Sequence, residues 1–162
     1  MKLGKVIGIG ILVVGLWVPG LAGAAEIVFG KNLKPGMSLE AAIQLLGIPK
    51  KVAVRRGPDP GEDSVEINYP SKGVLIRALT KGQRVEAIEL SSAFKGRFAN
   101  GLRMGNKFKK IVALYGVPKV LSRQVVKYPD RGLYFLLSKE TLLSAKAFMK
   151  NTRLPQKKLM NH

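Results

Sequence analysis

The stretch Phe29-Gly30-Lys31-Asn32-Leu33-Lys34-Pro35-Gly36 returns 69 residues later as Phe98-Ala99-Asn100-Gly101-Leu102-Arg103-Met104-Gly105. At the same shift, Leu45-Leu46-Gly47-Ile48-Pro49-Lys50 meets Leu114-Tyr115-Gly116-Val117-Pro118-Lys119. Further on, Tyr69-Pro70-Ser71-Lys72-Gly73-Val74 meets Tyr128-Pro129-Asp130-Arg131-Gly132-Leu133 at a shift of 59. The first stretch therefore carries about ten extra residues, and the Pro/Gly/acid segment 56–63 reads as the inserted loop. Self-similarity at a fixed shift is the mark of a duplicated unit.

Each half has a coarse pattern. Ser38 is a good N-cap, and Leu39, Ala42, Ile43 and Leu46 fall on one helical face. Gly47 ends that helix and Pro49 prevents its resumption. In the second half Asn106 is the expected cap, and Phe108, Ile111, Val112 and Tyr115 form the same stripe, closed by Gly116 and Pro118. Gly36, Gly47, Pro49, Gly105, Gly116 and Pro118 are thus read as structural punctuation. Strands are expected over Lys50–Arg55, Ser64–Tyr69, Val74–Leu79 and Arg84–Leu90, then over Val120–Tyr128, Leu133–Leu137 and Leu142–Phe148. In the last of these Ser138-Lys139-Glu140-Thr141 has the propensity of a helix start, but the self-match favours a strand. Pro70–Gly73 and Pro129–Gly132 are read as hairpin turns.

Short helices are marginal unless their apolar stripes pack on something. The expected fold is therefore α+β: two tandem helix-plus-antiparallel-strand repeats, with the helices packed on one face of an antiparallel sheet. Residues 25–94 form the first unit and 95–149 the second. Residues 150–162 are expected to be a basic, mobile tail.

The opening has the three parts of a secretory leader. Lys2 and Lys5 supply the charge, Val6 to Val18 the apolar run, and Ala22-Gly23-Ala24 the cleavage site. Residues 1–24 are read as a signal peptide cleaved near Ala24, giving a periplasmic protein, with secretion as the other destination. The apolar run is shorter than the ~20 residues of a membrane-spanning helix. The chain has no cysteine, so neither a disulfide nor a cysteine-borne lipid is expected.

Charge is unevenly placed. From Ala25 to Leu90 there are 10 basic and 8 acidic side chains; from Ser91 to His162 there are 16 basic and only 2 acidic ones, Asp130 and Glu140. Such a field steers toward anionic partners. On the second helix Lys107, Lys109 and Lys110 stand where the first helix has Ser38, Glu40 and Ala41, so the fold does not demand them. With Arg103 and Lys119 they are the candidate contacts to a partner or anionic surface. Arg123, Lys127 and Arg131 complete that set.

Leu33-Lys34-Pro35-Gly36-Met37-Ser38-Leu39-Glu40, followed by Leu45–Lys50 and by Val85-Glu86-Ala87-Ile88, resembles the SmpA/OmlA (BamE-like) outer-membrane domain. Two copies in tandem resemble the architecture of the β-lactamase inhibitory protein. The resemblance implies an envelope protein that works by binding, in outer-membrane assembly or in protein inhibition. The missing lipid-bearing cysteine departs from that pattern.

Nothing in the sequence assembles a catalytic site. The one histidine is His162, the last residue, and without Cys there is no material for a zinc or Cys/His site. Asp59, Glu62 and Asp63 read as a solvated acidic loop rather than a metal site. The expectation is a non-enzymatic periplasmic binding or adaptor protein, without cofactor or metal. An envelope protein is the expected partner, with peripheral contact to anionic lipid or lipopolysaccharide allowed by the charge and no nucleic acid expected. The alternative is an inhibitor of a secreted or periplasmic hydrolase.

Overall fold

The computed structural model describes residues 26–154. The signal peptide expected at 1–24 lies outside these residues, as do 155–162. The described elements are, in chain order, β1 (Val28–Phe29), α1 (Leu39–Leu46), β2 (Lys51–Arg55), β3 (Ser64–Tyr69), β4 (Val74–Leu79), β5 (Val85–Leu90), β6 (Arg97–Phe98), α2 (Phe108–Tyr115), β7 (Val120–Leu121), β8 (Val125–Tyr128), β9 (Leu133–Ser138) and β10 (Thr141–Phe148). Strands β2 to β5 and β7 to β10 make one eight-stranded sheet in the order β2-β3-β4-β5-β10-β9-β8-β7. Its paired neighbours are antiparallel. The short β1 and β6 pair in parallel apart from it.

Alternation along the strands explains the sheet's two faces. In β4, Val74, Ile76 and Ala78 are buried, while Leu75, Arg77 and Leu79 are half-buried. In β9, Leu133, Phe135 and Leu137 are buried between half-buried Tyr134 and Leu136. The buried set joins Phe29, Leu33, Phe98 and Leu102 from the loops, and Ala42, Leu46 and Ile111 from the helices, in one core.

The expected α+β architecture of tandem helix-strand repeats is corrected: the chain is mainly β. The two strand sets do not form separate units, because Ala87–Leu90 of β5 pairs with Ala145–Phe148 of β10 and fuses them. Nor do the helices form a covering layer. Each has 8 residues, about 12 Å long, against a sheet about 34 Å wide at ~4.8 Å per strand. The consequence is visible at the rims, where Val52 and Val54 of β2 and Leu121 of β7 stay exposed.

Helix α1 starts as its sequence suggests, with the Ser38 Oγ accepting from the Ala41 N–H at 3.0 Å. Helix α2 does not. Its N-cap is Lys107, without a side-chain bond, because Asn106 Oδ1 instead accepts from the Arg103 N–H at 3.0 Å. The hairpin tips take over part of the work: the Leu39 N–H donates to the Gln83 carbonyl and the Phe108 N–H to the Glu140 carbonyl, both at 2.8 Å. The strand expected over Val120–Tyr128 is a hairpin, β7 turning into β8. Ser122 closes it, its N–H donating to the Val125 carbonyl at 2.9 Å and its Oγ accepting from the Val125 N–H at 3.1 Å. Leu154, expected within a mobile tail, is buried against Ala87 and Phe148.

Candidate binding surface

Side chains on the sheet face opposite the core form a row across the strands. Glu66 of β3 lies directly opposite Arg77 of β4, and Glu89 of β5 directly opposite Lys146 of β10. Arg55 Nη2 is 3.6 Å from Glu66 Oε1, whose other oxygen is 3.1 Å from Arg77 Nε. Arg77 Nη1 is 3.7 Å from Glu89 Oε2, which also lies 3.4 Å from Lys146 Nζ. Lys146 in turn is opposite Tyr134 of β9, and Tyr134 opposite Lys127 of β8. The Lys127 ammonium stands 6.0 Å from the Tyr134 ring centroid, at the reach of a cation–π contact. Cross-strand charge pairs of this kind contribute roughly 0.2–1 kcal/mol each, so the row orders side chains more than it holds the fold.

At the basic end of the row is a cavity of about 120 Å³, lined by Glu89, Lys127, Tyr134, Leu136, Ser144 and Lys146. Lys127 meets no acid within salt-bridge distance among the described residues. Beside the cavity, Tyr134 packs edge-on against Phe148 at 5.4 Å, and Leu154 closes over Phe148 and Ala87. Lys127, the Tyr134 and Ser144 hydroxyls and the apolar Leu136, beside the Lys146–Glu89 pair, can receive a carboxylate borne on an apolar side chain.

The eight basic residues expected to act together are dispersed. Only Lys127 is on this face. Arg103 lies before α2, with its Nη2 3.7 Å from Glu26 Oε1, which Arg97 also approaches, at 3.2 Å. Lys107 donates to Thr141 Oγ1 at 3.1 Å, while Lys109 and Lys110 are exposed on α2. Lys119 is 3.7 Å from Asp130, Arg123 is in the exposed β7–β8 turn, and Arg131 lies 5.6 Å from the Tyr115 ring centroid. Burial raises the Tyr115 hydroxyl above its ordinary value. Gly47 and Gly116 do cap their helices with positive φ, 76° and 81°. Gly36 and Gly105 also have positive φ, as turn residues without a Cβ can.

The residues that sequence reasoning missed are Arg55, Glu66, Arg77, Glu89 and Lys146. Their outward positions follow from strand alternation, but their meeting depends on β5 lying beside β10. The acidic loop is also not a free one. Asp63 is buried, accepting from the Gly57 N–H at 3.0 Å and from Arg56 Nη1 at 2.6 Å. Those donors, the Gly57 amide first, hold its carboxyl below the ordinary carboxylate range. Among the described residues, no three His, Cys, Asp or Glu side chains come together as a metal site.

No family model matches the chain, and no curated protein matches it. A structural comparison finds the crystal structure of a cysteine-rich secretory protein, SAV1118, from Staphylococcus aureus subsp. aureus Mu50. The identity is 15% and the TM-score 0.47, over 77% of this chain and 50% of that one. This chain spans half the length of that protein and has no cysteine. So slight a likeness carries neither fold nor function across. The resemblance to a tandem SmpA/OmlA protein, and with it the β-lactamase-inhibitory-protein architecture, is overturned: the fold is one mainly β sheet rather than tandem helix-strand repeats, and no family model supports the match. Among the described residues no helix is long and apolar enough to cross a membrane.

Proposed function

We propose that this is an exported, non-catalytic binding protein whose half-exposed sheet face receives an acidic segment of an envelope protein. The observation that carries the reading is the charged row ending at the cavity between Lys127, Tyr134 and Lys146. Export is supported by the charged, apolar and small-residue parts of the leader. Absence of catalysis is supported by the state of the two acids in the row. Glu66 sits between Arg55 and Arg77, and Glu89 between Arg77 and Lys146. Both carboxylates are taken up by ion pairs within the row. Inhibitor interfaces are built on projecting aromatic or arginine anchors; Tyr134 instead lies against Phe148, so the binding reading is preferred.

Photo-crosslinking in intact cells tests this. A benzophenone side chain at Leu136 should give one discrete adduct, lost when Lys127→Glu is added. The same probe at Lys109, on the exposed side of α2, should give none. An adduct only at Lys109 would move the surface to the helix. No adduct at either position would remove the binding reading.

A further inference from the structure

The eight-stranded sheet ends in two unlike edges. At one rim β7 has only 2 residues and runs at once into the Ser122 turn. Short edges of this kind resist pairing with another chain. At the other rim β2 has 5 residues, Lys-Val-Ala-Val-Arg, in unbroken register with β3 from Lys51 to Arg55. It has no proline and no bulge. Among the described residues β3 is its one strand neighbour, so its outer side is an open row of backbone donors and acceptors.

The side chains of this edge are sorted. Val52 and Val54 project on the core side but remain 56% and 61% exposed, because the helices do not reach them. Ile48, just before the strand, is 96% exposed. Lys51, Ala53 and Arg55 project on the opposite side, and Lys51 and Arg55 are exposed. An added strand would therefore meet an apolar surface on one side and two cations on the other.

A second copy of this chain is a poor occupant. Antiparallel pairing centred on Ala53 would set Lys51 of each copy against Arg55 of the other. Parallel in-register pairing would set each cation against its own kind. Like charges directly opposite one another oppose strand pairing, and the chain is strongly basic. A strand that alternates acidic and apolar residues satisfies both sides.

We infer that β2 is a docking edge for an extended segment of another protein, with acidic residues opposite Lys51 and Arg55 and apolar residues opposite Val52 and Val54. Backbone pairing would supply affinity and the alternating side chains specificity. This edge shares Arg55 with the charged row but lies at the opposite rim from the face of β8 to β10, and it does not depend on binding there.

The test uses the full chain and a blocked heptapeptide, Thr-Glu-Val-Thr-Val-Glu-Thr, with a control in which both Glu are Lys. Amide exchange of residues 51–55 should slow with the acidic peptide, and the lysine peptide should bind at least tenfold more weakly. Lys51→Glu should narrow or reverse that preference. Val54→Lys, at an exposed position, should weaken both peptides. Equal affinity for the two peptides, or protection confined to β8–β10, would overturn the proposal. So would protection of 51–55 without peptide accompanied by concentration-dependent dimerisation, which would mean self-pairing. Crosslinking at Leu136 reads the other surface, so either reading can fail alone.

Discussion

The two ends of the sheet use similar turns in different surroundings. Tyr69-Pro70-Ser71-Lys72-Gly73 and Tyr128-Pro129-Asp130-Arg131-Gly132 both make a single 3-10 turn closed by a left-handed glycine, with φ 64° and 59°. Around Tyr128 the core is aromatic: its ring packs on Tyr115 at 5.6 Å and on Phe135 at 6.1 Å. Its hydroxyl donates to the Gly116 carbonyl at 2.7 Å and so ties the strand to the end of α2. Tyr69 instead lies opposite Val74 of β4. The Tyr69 hydroxyl is buried without a hydrogen-bond partner among the described residues. The difference teaches that the turn is a local device, set by proline and glycine, while the clamp onto the helix is a property of the packing around it.

The largest expected effect is at the turn glycines. Alanine at either position pays about 1–2 kcal/mol for the left-handed conformation alone. Collision adds to that. At Gly73 a Cβ would meet the backbone of Ala93 and Phe94 in several places; at Gly132 its one severe contact is the Phe148 carbonyl oxygen, at 2.6 Å. Both variants should lose several kcal/mol in urea unfolding, and Gly73→Ala should lose more. Equal losses would mean that the loop carrying Phe94 yields as easily as the end of β10.

The tyrosines should respond with opposite signs. Tyr128→Phe removes a made hydrogen bond and should cost about 0.5–1.5 kcal/mol. Tyr69→Phe removes a buried hydroxyl with no protein partner among the described residues, so it should be neutral or stabilising by up to about 1 kcal/mol. Burial raises both hydroxyls above the ordinary tyrosine value, so both should stay protonated beyond pH 10 in a spectrophotometric titration. Equal destabilisation in the two variants would mean that the Tyr69 hydroxyl has a partner, such as a water molecule, that the Tyr128 clamp does not need.

Much of this was legible where the signal was local. Alternation placed β3 and β4 with correct ends, and Ser38 and Gly47 bounded α1. The strand β10 was expected one residue short of its start at Thr141, although Lys139 and Glu140 carry helix propensity; in the structure they form the hairpin tip with positive φ. Errors arose where the outcome depended on partners distant in sequence. Asn106 looked like a cap but serves the turn at Arg103. Val120–Tyr128 read as one strand because Ser122-Arg123-Gln124 has no proline or glycine to mark a turn. The fold class is not legible in the two clear helical stripes, which say nothing about how many strands they must cover. The charged row was hidden for the same reason: it exists only because β5 and β10 are neighbours.

The smallest effect concerns the loop 56–63, which the β7 end of the sheet lacks. Asp63 anchors it through the Gly57 amide and the Arg56 guanidinium, and its carbonyl accepts from the Thr80 N–H at 2.9 Å. Its carboxyl lies below the ordinary 3.8 when folded. A group depressed in this way stabilises the fold fully above its unfolded value and loses that contribution as pH falls through the folded one. Acid should therefore loosen residues 56–63 and the adjoining β2 edge before the β7–β8 hairpin. Hydrogen exchange between pH 5 and pH 2, corrected for intrinsic rates, should show that order. Asp63→Asn keeps the side-chain shape but not the charge, so it should loosen the loop at pH 7 and flatten the acid response there. An unchanged acid response in Asp63→Asn would mean that Asp63 does not set it, and the two ends of the sheet would then differ in their edges but not in how acid opens them.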